Sequence, residues 1–278
     1  MPDSEYAQRV QAWRSGLDAD IRRENGPLAL SGLFWLQQGI NTVGSSPDCS
    51  ICLPKPIPRL LGVFDLDGAG VTFGPDIGQS VEIDGALAQT AATLRVGEAD
   101  GGSLVRSGDI SMALIRHAAQ VGVRVWNAAK ARDFAPRSWF ELHEAYYIQA
   151  TYTPYPSPVK LKMPDSLAKS EEGYVQGYVS FRLEGKSHNL DATETEDGRL
   201  FLPFRDLTNG FRTYPEGRYL ETEAVSEDGK VVVDFNTAYN PPSAFTAFAT
   251  CTYAPKESAL KCAIEAGERF VSASPDRR

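Results

Sequence analysis

From residue 41 onward the chain is cut into short apolar runs by turn dipeptides, and this spacing constrains the fold more than any other feature. Residues 41–44, 50–53, 62–66, 70–73 and 80–83 form a first series, with Asp67-Gly68 and Asp84-Gly85 between runs. Asp-Gly is a strong hairpin signal because both residues tolerate positive φ. The series continues through 110–116 and 121–125. A second series runs through 174–183, 188–193, 199–204, 211–214, 218–225, 230–236, 244–253 and 259–265. Glu196-Asp197-Gly198, Thr208-Asn209-Gly210, Pro215-Glu216-Gly217 and Glu227-Asp228-Gly229 separate its members. Strands at this spacing with no helical pattern between them predict an all-β, mainly antiparallel fold. The first series is expected to form a β-sandwich. The second is expected to form a meander that closes into a barrel-like region or a second sandwich, since closure removes exposed edges.

One helix precedes the strands. Tyr6, Val10, Trp13, Leu17 and Ile21 lie on one helical face. Asp3 or Ser4 can cap its start, and Asn25-Gly26-Pro27 ends it. Its stripe is expected to pack on the domain that follows. The boundaries read from the sequence are a helical segment 1–30, a sandwich 31–126, a connector 127–164 and a β region 165–278. The connector holds one strand at 146–152, then Pro154, Pro156, Pro158 and Pro164.

Composition narrows the function classes. A formal charge of −8 over 278 residues, with scattered Lys and Arg, opposes a nucleic-acid footprint. No apolar run reaches bilayer length, and Met1-Pro2-Asp3-Ser4-Glu5 lacks a basic cluster ahead of an apolar core, so no membrane partner and a cytoplasmic location are expected. Cys49 and Cys52 sit three apart in a strand pattern and point to opposite faces, while Cys251 and Cys262 lack a short spacing. The three His residues have no i+2 or i+4 partner His, and no phosphate-binding glycine loop occurs. No cofactor and no metal site are expected; an oxygen-ligand cation on Asp206, Asp234 and Asn236 is a weaker reading.

Two stretches carry resemblances. Residues 39–45, Asp48 and 51–54, then 81–85 and Leu94-Arg95-Val96-Gly97-Glu98, resemble a forkhead-associated domain. The resemblance implies a sandwich fold. That family's phosphothreonine-reading Arg is Ser45 here, and its Ser-x-x-His loop is Pro58-Arg59-Leu60-Leu61-Gly62, so no phosphopeptide function is implied. Further on, Phe204–Leu220 (F-x-D-x-T-x-G-x-x-T-Y-x-x-G-R-x-L), Asp234–Pro242 (D-F-N-x-A-Y-N-P-P) and Ala266-Gly267-Glu268 resemble a bacterial and archaeal family of unknown function. Relatives often carry Cys where this chain has Ser243, which weakens nucleophilic catalysis; Ser243 with His188 and an acid lacks a G-x-S-x-G elbow.

The density of polar residues at strand positions marks the candidate site. Asp234 and Asn236 lie two apart in a strand and share one face, which Ala238 and Asn240 continue if the strand runs on. With Asp206, Arg212, Tyr214, Arg218, Tyr239 and Asn240 they are expected to line a pocket for a small polar or anionic ligand. Asp234 or Glu268 is the expected general base if chemistry occurs, with an Arg stabilising negative charge. Two competing readings remain open: Asp206, Thr208 and Asn209 as turn formers with Arg218 paired to an acid, and a non-catalytic module whose sandwich loops meet a protein partner.

Overall fold

The computed structural model describes residues 4–97, 102–117, 119–132, 134, 136–164, 170–256 and 259–270, with the side chains of 170–172 left out. Met1, Pro2, Asp3 and Glu98, named above, lie outside these residues. The chain divides into two compact units: one holds 1–20 with 135–278, the other 21–134.

The unit 21–134 follows the turn spacing closely. Its strands are β1 (Leu30–Trp35), β2 (Gly39–Gly44), β3 (Ile51–Cys52), β4 (Gly62–Asp67), β5 (Gly70–Pro75), β6 (Glu82–Ile83), β7 (Ala86–Leu87), β8 (Ala92–Leu94), β9 (Leu104–Ser107), β10 (Ile110–His117) and β11 (Gln120–Asn127). They form a six-stranded sheet, β1-β11-β10-β9-β6-β7, and a five-stranded sheet, β3-β2-β4-β5-β8. One core joins the two, with Val43, Phe64 and Phe73 from one sheet meeting Val105, Met112 and Val123 from the other. Asp84 and Gly85 both take positive φ, 51° and 81°, and make the two-residue turn between β6 and β7 that an Asp-Gly dipeptide favours.

The other unit contains the helix, α1 (Ser4–Ile21), and a single open sheet. Its strands are β12 (Tyr147–Pro164), β13 (Ser170–Leu183), β14 (Lys186–Glu194), β15 (Leu200–Phe204), β16 (Arg218–Glu221) and β17 (Lys230–Asp234), in the order β16-β15-β14-β13-β12-β17. All neighbours are antiparallel. Three features differ from the sequence expectation. The helix packs within this unit rather than on the segment that follows it: Trp13 stands edge-on to Trp139 and Tyr239, and Arg14 reaches the Phe140 and Asn236 carbonyls. A helical stripe identifies what a helix buries and carries no information about its partner.

The second difference concerns the proline segment, which belongs to a strand. Pro154, Pro156 and Pro158 lie in β12 beyond the stretch 147–151 that pairs with β17, and Pro156 and Pro158 fall in the register break between Pro154 and Val159 of the ladder with β13, where there is no regular pairing to interrupt.

The third difference is the barrel, which does not form. Among the described residues no ladder joins β16 to β17, so the sheet stays open. Residues 211–214, 244–253 and 259–265 are not strands. The tail keeps the alternation that suggested one, with Leu260, Cys262, Ile264 and Ala266 buried. Single bonds replace the ladder: Leu260 N–H to Arg205 O at 2.9 Å, Leu207 N–H to Cys262 O at 3.1 Å and Glu268 N–H to Ala238 O at 2.8 Å. Alternating burial requires only that one side meet a core, and this tail satisfies it without joining the sheet.

The core of this unit is continuous from Val179 and Phe181 through Leu202, Phe204 and Leu220 to Val233, Phe235 and Ile264. Leu202 is fully buried, so Leu202→Ala should lower unfolding free energy by about 2–5 kcal/mol in urea titrations. Ile77→Ser, at a position 96% exposed, should stay within about 0.5 kcal/mol of wild type.

Candidate functional site

Strand β15 ends at Phe204 and the chain enters a tight loop organised by one carboxylate. Asp206 Oδ1 accepts the Thr208 N–H at 2.7 Å, the Thr208 hydroxyl at 2.6 Å and the Ile264 N–H at 3.3 Å. Its Oδ2 accepts from Arg218 Nη2 at 2.8 Å, and neither side chain has any exposed area. Arg218 also donates to the Ile264 carbonyl at 2.9 Å and to the Ala266 carbonyl, and its guanidinium lies over Phe204. Burial pulls the Arg218 pKa down from its ordinary value, and Asp206 opposes that pull. Asn209 closes the loop by accepting the Asp206 N–H and donating to Thr213 and the Tyr214 carbonyl. Gly217 completes the motif at φ 98°, where a Cβ would stand 2.5 Å from the Phe204 carbonyl oxygen. These residues hold backbone segments together and leave little capacity for a ligand.

A second buried pair ties three further segments. Arg137 donates through Nε (2.8 Å) and Nη2 to the two carboxylate oxygens of Glu268, and both side chains are 2% exposed. Glu268 Oε2 also accepts the Asn240 N–H at 2.7 Å, while Asn240 Nδ2 donates to the Arg269 carbonyl. Gly267, at φ 75°, brings the tail against the Ala238 carbonyl, where no side chain would fit.

Asp234 sits elsewhere. It ends β17, and its Oδ1 caps a 3-10 turn over Phe235–Thr237 by accepting the Asn236 N–H at 3.0 Å. The shared strand face expected for Asp234 and Asn236 is therefore absent, because the strand stops at Asp234; the turn brings the two side chains together instead. Asn236 Nδ2 donates to Asp234 Oδ1, to the Tyr6 hydroxyl and to the His143 carbonyl, and its Oδ1 accepts the His143 N–H. Tyr6, from α1, donates to Asp234 at 2.9–3.0 Å. Among the described residues the Tyr6 hydroxyl is the one hydrogen-bond partner of Asp234 Oδ2, so lone-pair capacity remains on it. Burial raises the Asp234 pKa above the ordinary carboxylate value, against the lowering effect of Tyr6 and Asn236. Burial and the facing carboxylate push the Tyr6 hydroxyl far up.

Asp234 and Tyr6 open into a cleft of about 510 Å³. Helix α1 supplies one wall through Tyr6, Arg9, Val10 and Trp13, and the two sheet edges supply the rest, with Glu221 and Glu223 on one side and Lys230 and Val232 on the other. Arg199, held by Asp197 and Glu221, also borders it. The expected site residues thus separate into groups. Asp234 lines the cleft. Asn236 buttresses it from behind, and Tyr239 donates at 2.6 Å to Glu221, a lining residue. Asp206, Arg218, Asn240 and Glu268 lie in the buried networks. Arg212 pairs with Glu265 at the surface, and the Tyr214 hydroxyl donates to the Ser243 carbonyl. His188 stacks on Phe181. Among the described residues no cluster of His, Cys, Asp and Glu could hold a metal. Tyr6, Arg9 and Trp13 were missed; Tyr6 and Trp13, aromatics with polar tips within a stripe otherwise apolar, were the available signal.

Residues 132–269 match the model of a family described as a protein of unknown function, DUF1684. Among solved structures, an uncharacterized protein of Haloarcula marismortui is similar at 32% identity over 51% of this chain and 80% of that one, with a TM-score of 0.41. No curated protein matches the chain.

Two outcomes follow. Arg218→Met should cost about 3–5 kcal/mol, because it strands a buried carboxylate. Adding Asp206→Asn should recover part of that loss, since the amide oxygen still accepts the loop N–H groups; urea unfolding reads both. Asp234 is raised in the folded state, so its protonated form favours folding, and that contribution is lost as pH rises through the folded pKa. The melting temperature of Asp234→Asn relative to wild type should therefore be more favourable at pH 7 than at pH 4, as differential scanning calorimetry would show.

Proposed function

We propose that the DUF1684 segment, together with α1, binds a small polar molecule in the cleft beneath the helix. One observation carries this reading: a half-buried carboxylate, Asp234, lines a cleft of about 510 Å³ and, among the described residues, keeps unused acceptor capacity on Oδ2. That volume falls in the range of small-molecule sites, roughly 300–1,000 Å³. The walls have the expected composition, with Val10, Trp13 and Val231 apolar and a few polar groups converging. The other motif residues are consumed by structural bonds, which leaves Asp234 as the group best placed to meet a ligand. Its raised pKa, beside a tyrosine hydroxyl, suits it to exchange a proton with what it binds. Glu268 is not part of this reading, because Arg137 and Asn240 occupy its oxygens. The concave polar cleft also favours ligand binding over a purely protein-interacting module.

Native mass spectrometry of the freshly isolated full chain tests this against Ala224→Trp, which fills the cleft from its rim. A small-molecule adduct on wild type that the variant lacks supports the proposal. An adduct retained equally by both, or absent from both, overturns it.

A further inference from the structure

The cleft lies where two strands that follow one another in the chain fail to pair, and the hydrogen-bond phase of each edge is readable. Tyr152 N–H donates to Gly229 O at 2.8 Å, in register with the Ala150–Val231 and Ile148–Val233 pairs. Antiparallel alternation therefore directs the backbone groups of Val231 and Val233 toward β12 and those of Lys230, Val232 and Asp234 away from it. Two of these outward residues are already engaged. Lys230 exchanges bonds with Ser226, its N–H going to the hydroxyl and its C=O accepting the Ser226 N–H, and the Asp234 carbonyl accepts from the Thr237 hydroxyl. Val232 lies between them and lines the cleft.

The opposite edge has the same logic. Thr222 N–H donates to Leu200 O at 3.0 Å, so Leu220 and Arg218 face β15, while Tyr219 and Glu221 face outward. Tyr219 spends its outward groups on Tyr239, in both directions, at 2.8 and 2.9 Å. Glu221 is next along and also lines the cleft. The seam is thus shut at one end by the Tyr219–Tyr239 bridge and at the other by the turn at 226–230. Between them an outward peptide group on each edge, at Glu221 and Val232, borders the same cleft.

We infer that the ligand of this cleft is a short zwitterionic peptide, or a close amide-bearing analogue, bound extended against the open β17 edge at Val232. The inference rests on the small-molecule reading above and assigns its chemical class. Unpaired strand edges recognise peptide backbones by adding a strand, with main-chain bonds supplying affinity. Charge selects for both signs at once: Arg9, Arg199 and Lys230 border the cleft with Glu221, Glu223 and Asp234. A simple anion would meet three carboxylates and a simple cation three basic groups, whereas a free peptide carries one charge at each end. Length is bounded because β17 has five residues and the seam is closed beyond them, which limits the occupant to about three or four residues at roughly 3.3 Å each.

The test uses the ¹⁵N-labelled full chain titrated with trialanine, and with N-acetyl-trialanine amide as the uncharged control. Trialanine should shift the Val232 and Glu221 amide resonances and slow hydrogen exchange at Val232 by tenfold or more, and the blocked peptide should bind more weakly. Val232→Pro removes the outward N–H without touching a β12 bond, a substitution edge strands tolerate, and should weaken trialanine about three- to tenfold. Because proline could disturb the strand, Glu223→Gln supplies a second variant, with an expected loss of binding to trialanine only. Unshifted Val232 and Glu221 amides at saturating trialanine would overturn the peptide assignment. If that occurs while the wild-type adduct is still lost in Ala224→Trp, the small-molecule reading survives and only the ligand class falls.

Discussion

The Asp206–Arg218 pair is the constraint around which the C-terminal unit is arranged. Burying a carboxylate and a guanidinium is costly, and the cost is met only if nearly every lone pair and proton finds a partner. Here that requirement joins the start of β16, through the Arg218 side chain, to backbone groups from two places: the loop after β15 and the irregular tail at 264–266. The tail has no ladder of its own, so its path over the core is specified by these polar contacts and by the buried alternation of Leu260, Cys262 and Ile264. The Arg137–Glu268 pair repeats the arrangement, joining 137, 240 and 268.

Those two networks explain why a motif so rich in polar residues contributes so little to a binding surface. Thr208, Asn209 and Thr213 close their own loop, Arg218 ties that loop to the tail at 264–266, and Gly217 and Gly267 are the points where backbones approach too closely for a side chain. The cleft is built instead from what the sheet leaves undone. Strand β17 pairs with β12, β16 pairs with β15, and the gap between their outer edges is bordered by a helix from the far end of the sequence. Tyr6 joins that helix to Asp234, so cleft wall and cleft acid are positioned by the same hydrogen bond.

Much of this was readable from residues alone. Turn dipeptides act within a few residues, so seven of the eleven strands of the unit 21–134 (β2 to β6, β10 and β11), the turn at Asp84-Gly85 and the all-β class follow from local chemistry. The importance of Asp234, Asn236, Arg218 and Asp206 was legible too, because a charged or amide side chain among apolar strands must be accounted for. Whether the accounting is done by a neighbour or by an open cleft was not legible, since Arg218 and Ile264 reach Asp206 from 12 and 58 positions away.

What the sequence by itself determined is therefore local: periodicity, turns, one amphipathic helix and a short set of residues that must be matched. Tertiary structure alone decided three things. It decided that the meander stays open, because closure depends on whether two distant edges meet. It decided that α1 covers the C-terminal unit, because a stripe of Tyr6, Val10 and Trp13 specifies burial and not its partner. And it decided that Asp234 alone of the polar set faces a cleft, because hydrogen-bond capacity is used up by whichever groups the fold brings within reach.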